Sequence, residues 1–99
     1  MQITEGACTF IKEQSKELKN PVLVLFQREY RGWCGTSVVN TVTPAEKDQI
    51  RDEGQFSIQK VPECDVPIYV EKKLEGLWNK AKIDVAGWST FQRLVILQD

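Results

Sequence analysis

The sequence predicts a small α+β domain: one N-terminal helix packed against a mixed, mostly antiparallel β-structure of about six or seven short strands. Three observations carry that expectation. Residues 5–19 place Ala7, Phe10, Ile11, Gln14 and Leu18 on one stripe at helical spacing. From residue 22 onward the apolar residues come in short continuous or alternating runs, the patterns of buried and half-buried strands. Glycine, proline and asparagine punctuate those runs. With 99 residues the chain is a single domain, 1–99, of a size that buries roughly 60–65% of the surface its unfolded form exposes.

The helix has its own start and stop signals. Thr4 is placed to cap it, Glu5 suits the first turn, and Asn20-Pro21 ends it. Val22 to Gln27 reads as a buried strand and Arg28 to Thr36 as a loop with two glycines. Val38, Asn40 and Val42 share one face of a second strand, which Thr43-Pro44 closes. Residues 44–54 are a polar loop or one helical turn. Phe56 and Ile58, then Val66, Ile68 and Val70, alternate with their neighbours and predict a hairpin turning at Pro62 to Asp65. Pro67 points to an edge position or a strand start. Residues 71–79 form a short helical or looped connection. Ile83 and Val85 mark a further strand, Gly87 a turn, and Phe91 to Leu97 the closing strand.

Composition narrows the function classes. Lys and Arg total 13 and Asp and Glu 14, so no electrostatic footprint calls for nucleic acid or an anionic membrane. The absence of histidine excludes His-dependent triads, His-based metal motifs and an imidazole general base. Cys8, Cys34 and Cys64 are scattered and odd in number, unlike the paired framework of a secreted mini-protein. Met1 leads straight into a charged amphipathic segment, and the longest apolar run is far too short to span a bilayer. A reducing, cytoplasmic location is the expectation.

Cys34 is the leading candidate for chemistry. It lies between glycines in Gly32-Trp33-Cys34-Gly35, with Arg28 and Arg31 close in sequence. Nearby cations favour thiolate, the form that binds metal or attacks disulfides. Arg28, Arg31 and Trp33 are the candidate binding residues of the same loop. Cys8, about 100° round the helix from Ala7, reads as a small buried hydrophobe. Cys64 reads as exposed on a hairpin turn beside Glu63 and Asp65. Period-two alternation turns Asp84 away from the face of Ile83 and Val85, where it is either held by a hydrogen bond or exposed. Trp33, Trp78 and Trp88 read as core or rim packing.

Several motifs together resemble a known family. Pro67-Ile68-Tyr69-Val70-Glu71, then Lys82-Ile83-Asp84-Val85-Ala86-Gly87-Trp88, then Phe91 to Ile96, resemble the second half of a HesB-like domain. Ile3, the helix, the apolar strand and the glycine-flanked Cys34 resemble its first half. The fold is that of A-type iron–sulfur carriers, and the likeness is greatest to the short relatives with a Cys-Cys or selenocysteine-Cys pair in this loop. The resemblance implies a non-enzymatic accessory protein of iron–sulfur cluster biosynthesis, without catalytic residues. Cys34 would be its metal- or thiol-active residue, and an iron–sulfur cluster or iron its cofactor. Alternatives on the same fold are a metal-free protein-interaction module and a thiol redox protein using Cys34. The expected partner is another protein or a second copy of the chain, with no nucleic acid and no membrane. The family's Cys-Gly-Cys pair has no counterpart in residues 1–99, and Trp33 stands where the relatives carry their other cysteine or selenocysteine. A cluster needs about four thiolate-type ligands. A symmetric dimer brings two copies of Cys34, so outside thiols would have to complete the site.

Overall fold

A computed structural model describes residues 1–61 and 64–98, and it folds them as an α+β domain with two sheets. The chain runs β1 (Gln2–Ile3), α1 (Glu5–Gln14), β2 (Pro21–Gly32), β3 (Gly35–Glu46), β4 (Phe56–Val61), β5 (Cys64–Glu71), α2 (Glu75–Lys80), β6 (Ala81–Ala86) and β7 (Arg93–Gln98). One sheet has the order β1-β6-β7, with β1 parallel and β7 antiparallel to β6. The other has the order β3-β2-β5-β4, antiparallel except for the β2–β5 pair. Among the described residues no helix is long and apolar enough to cross a membrane.

Helix α1 starts where its cap predicts. The Thr4 hydroxyl accepts the Ala7 N–H at 3.1 Å and donates to Asp84 Oδ1 at 2.7 Å, which ties the helix start to β6. The Thr4 N–H also reaches the Ile83 carbonyl at 3.0 Å. The helix ends at Gln14 rather than near Lys19. There the chain turns, and the Glu46 carboxylate accepts the Lys19 and Asn20 N–H groups at 2.9 and 2.8 Å. The buried stripe is Ala7, Cys8, Ile11 and Ser15, so the helix is rotated from the expected face. Phe10 and Leu18 are only half-buried, and Gln14 is exposed.

The apolar run in β2 is buried on both faces, as its continuity requires. Leu23 and Leu25 join Ala7, Cys8, Ile11, Ile68, Val70, Trp78 and Ile83 in the main core under α1. Val22 and Val24 pack with Tyr69 on the opposite face, covered by Phe26, Ile50 and Phe56. Ile50 comes from the polar stretch after β3, between short 3₁₀ turns at Lys47–Gln49 and Glu53–Gln55.

Strand β5 lies inside its sheet, so Pro67 is not at a sheet edge. It precedes the β2 ladder, which begins at Ile68, and falls beside the irregularity in β4 between Gln59 and Val61. Both are places where a missing N–H is tolerated. Of the predicted 62–65 turn, residues 62 and 63 lie outside the described residues, while Cys64 and Asp65 already belong to β5. Phe91 belongs to a 3₁₀ turn, Ser89–Phe91, rather than to the closing strand. Gly87 has φ +92°, and a Cβ there would collide with the Phe91 carbonyl, so this turn demands glycine.

Candidate functional site

The expected loop over 28–36 is not a loop. Strands β2 and β3 pair without interruption from Pro21↔Glu46 to Gly32↔Gly35, leaving Trp33-Cys34 as a two-residue turn. Gly35 makes that turn possible with φ +122°; nothing lies within 4 Å of a Cβ built there, so the need is conformational and not steric. The hairpin outruns its sheet. Strand β2 meets β5 only from Leu23 to Leu25, and every residue from Arg28 to Asn40 is exposed.

The contents of this arm are unusual for so exposed a position. Trp33 is fully exposed at the tip, and Tyr30, Val38 and Val39 are each about half exposed. Alternation sorts the side chains by face. Arg28, Tyr30, Ser37 and Val39 share one face, and Glu29, Arg31, Thr36 and Val38 the other. The Arg28 guanidinium lies 6.0 Å from the centroid of the Tyr30 ring. The Arg31 Nε lies 3.8 Å from a Glu29 carboxylate oxygen, an exposed pair of little energetic weight. Each cation therefore meets a neighbour on its own strand. At the root of the arm, β3 and β7 flank a cleft of about 500 Å³ lined by Tyr30, Val39 to Val42 and Arg93 to Ile96.

The three cysteines fall into two environments. Cys34 is exposed at the hairpin tip. Cys8 and Cys64 are both buried in the main core, and their thiols hydrogen-bond to each other. The expected exposure of Cys64 is thus corrected: β5 begins at this residue and carries it under α1. Burial first, and the neighbouring Cys8 thiol second, push the Cys64 thiol up to about 11, which leaves it protonated and unreactive at neutral pH. The fold does not gather the three sulfurs. Among the described residues no group of three or more His, Cys, Asp or Glu could hold a metal ion.

Asp84 has a structural task. Its Oδ1 accepts from the Thr4 hydroxyl and from the Val85 N–H at 2.8 Å, and these two bonds hold its carboxyl below its ordinary value. Of the tryptophans, Trp78 is buried as expected, but Trp33 and Trp88 are not packing residues: their exposures are 104% and 78%.

Sequence reasoning picked out Arg28, Arg31, Trp33 and Cys34 but missed Tyr30, Val38 and Val39 as part of the same surface. The available signal was an uncharged stretch from Gly32 to Ala45, dense in β-branched residues and facing a charged 28–31 segment across two glycines.

Fold and site together define a small α+β domain with a projecting two-stranded arm. No family model, no curated protein and no solved structure matches the chain.

Proposed function

We propose that this chain is a non-enzymatic protein-interaction module whose contact element is the β2–β3 hairpin, with Cys34 as an accessible thiol at its tip. One observation carries the reading: Arg28 to Asn40 are all exposed, yet paired in register on either side of the Trp33-Cys34 turn, and they present Tyr30, Trp33, Val38 and Val39. A two-stranded hairpin is marginal in water without a face to pack on. Apolar and aromatic side chains grouped on such an arm contribute little to the fold and suit contact with another molecule.

The exposure of Cys34 supports a second reading, in which the module engages its partner through a mixed disulfide. The iron–sulfur reading that follows from the HesB-like resemblance rests on Cys34 alone. Cys8 and Cys64 are buried and occupied with each other, so the described thiols do not fit a cluster held by one chain. A reducing cytosol belongs to this proposal on the odd, scattered set of cysteines.

The test uses a photo-crosslinking residue at position 33, with the same residue at position 60 as control, in extract from source cells. Discrete adducts from position 33 that disappear on Tyr30→Ser with Val39→Ser are expected. Equal labelling at both positions refutes the hairpin as contact element. Anaerobic incubation with iron and sulfide, followed by absorbance and metal analysis, should leave no Cys34-dependent cluster. A stoichiometric cluster lost on Cys34→Ser would replace this reading with the metal-carrier one.

A further inference from the structure

We infer that the outer half of β3 is a self-pairing edge, through which two copies of this chain join their hairpins into one antiparallel sheet. This inference deepens the interaction reading above and rests on it.

The direction of the backbone groups follows from one hydrogen bond. The Gln27 N–H points away from β3 and donates to Glu71 Oε1 at 2.6 Å. Gln27 is opposite Asn40, so this is a pair whose N–H and C=O groups face outward on both strands. Period two then assigns the same outward phase to Val38 and Thr36. Pro44 lies in this phase as well, where its missing N–H costs the β2 ladder nothing. Among the described residues no strand hydrogen-bonds to the other side of β3. Thr36, Val38 and Asn40 therefore offer a row of donors and acceptors along an exposed edge.

The two edges of the arm differ in a way that selects β3. Strand β2 carries Arg28, Glu29 and Arg31, and the Glu71 carboxylate already occupies its outward N–H at Gln27. Charges of this kind protect an edge from pairing. Strand β3 has no charge from Gly35 to Ala45, and in its outer half no proline. From Val39 inward it faces β7 across the cleft at the arm's root. Thr36 to Asn40 stays exposed and without a hydrogen-bonded strand on this side.

A second copy fits that edge by symmetry. The register that uses all three outward residues of both chains centres on Val38 opposite Val38 of the other copy, with Thr36 opposite Asn40 on either side. Each such pair exchanges two backbone hydrogen bonds. Uncharged residues oppose uncharged residues throughout, and the chain's near-zero net charge adds no long-range repulsion. A contact of this length falls below the ~1,200 Å² of stable interfaces, so the association is weak and concentration-dependent. The same register sets each Cys34 opposite Val42 of the other copy. The two thiols then lie roughly 27 Å apart along the strands, too far to share a cluster or a disulfide.

The experiment is sedimentation equilibrium of the intact chain in reducing buffer over a wide concentration range, with amide hydrogen exchange at both extremes. The wild type should dimerise reversibly. Exchange should slow at Thr36, Val38 and Asn40 on dimerisation, whereas Ser37 and Val39, already bonded to β2, should change little. Val38→Lys sets two cations opposite each other and should weaken the dimer about tenfold or more, while Val38→Thr should keep it; circular dichroism checks that both fold. A dimer that ignores Val38→Lys, or exchange protection without the alternation, overturns the inference. A monomer at every concentration that still crosslinks to other proteins from position 33 overturns self-pairing and leaves the interaction reading standing. A monomer without such adducts overturns both.

Discussion

Replacing Ile11 by alanine tests how the fold is held together, because Ile11 is the fully buried centre of the only face that α1 presents to both sheets. The substitution removes the three carbons beyond Cβ. At ~0.8 kcal/mol per buried carbon the transfer loss is about 2.4 kcal/mol. The hole cannot close easily, since Leu25, Ile68, Val70 and Ile83 around the same core are themselves fully buried parts of rigid strands. The residual cavity raises the expected loss to about 3–4 kcal/mol, inside the usual span of about 2–5 for such truncations. That is a large share of the ~5–15 kcal/mol that stabilises a domain. Phe10→Ala, one residue away, should cost under about 2 kcal/mol, because Phe10 is half-buried against a cleft and not in the core. Urea unfolding followed by circular dichroism, with unchanged m-values, gives both numbers. A loss under ~1 kcal/mol for Ile11→Ala, or a larger loss for Phe10→Ala, would refute the rotation of the helix described above.

Four further outcomes are expected. Thr4→Ala should lower stability by about 0.5–2 kcal/mol in the same assay, since it removes a helix cap along with the bond to Asp84. The Asp84 carboxyl is held below its unfolded-state value of about 3.9, so its stabilisation is complete above that pH and fades as pH falls through the folded value. Acid titrations should therefore show a steeper decline for the wild type than for Asp84→Asn. Brief iodoacetamide treatment of the native protein should label Cys34 and spare Cys8 and Cys64, with all three reacting in denaturant; early labelling of Cys64 would contradict its burial. Gly87→Ala should destabilise by about 1–3 kcal/mol, since positive φ and the Phe91 carbonyl both oppose a side chain, and a neutral result would mean that the β6–β7 turn is differently shaped.

Much of the architecture was legible in the chain because its causes are local. Thr4 caps the helix through its own hydroxyl, Val22 to Leu25 must be covered on both faces, and Gly87 alone suits its turn. The helix periodicity over 5–19 was also legible, but it could not reveal which flank would turn inward. That choice belongs to the strands beneath it, which accept Cys8 and Ser15 in preference to Phe10 and Leu18. Nor could it show the early end at Gln14, or that the Lys19 and Asn20 N–H groups beyond it would be taken by a carboxylate from Glu46 far along the chain.

The candidate site divides the same way. Residue types alone pointed to Cys34, Trp33, Arg28 and Arg31, because glycines, a thiol and cations in one short stretch stand out in any context. Whether that stretch was a loop or a ladder was not a local question. Arg28 to Gly32 has poor strand composition, and it becomes a strand because Gly35 to Val39 lies antiparallel beside it and satisfies its backbone. Tertiary pairing likewise decided that Cys64 is buried beside Cys8 and that Cys34 stands apart from both. A sequence records which groups a chain carries and how it turns over a few residues. The distance between groups far apart in the chain, and the side of a strand left open to a partner, arise only when the sheets assemble.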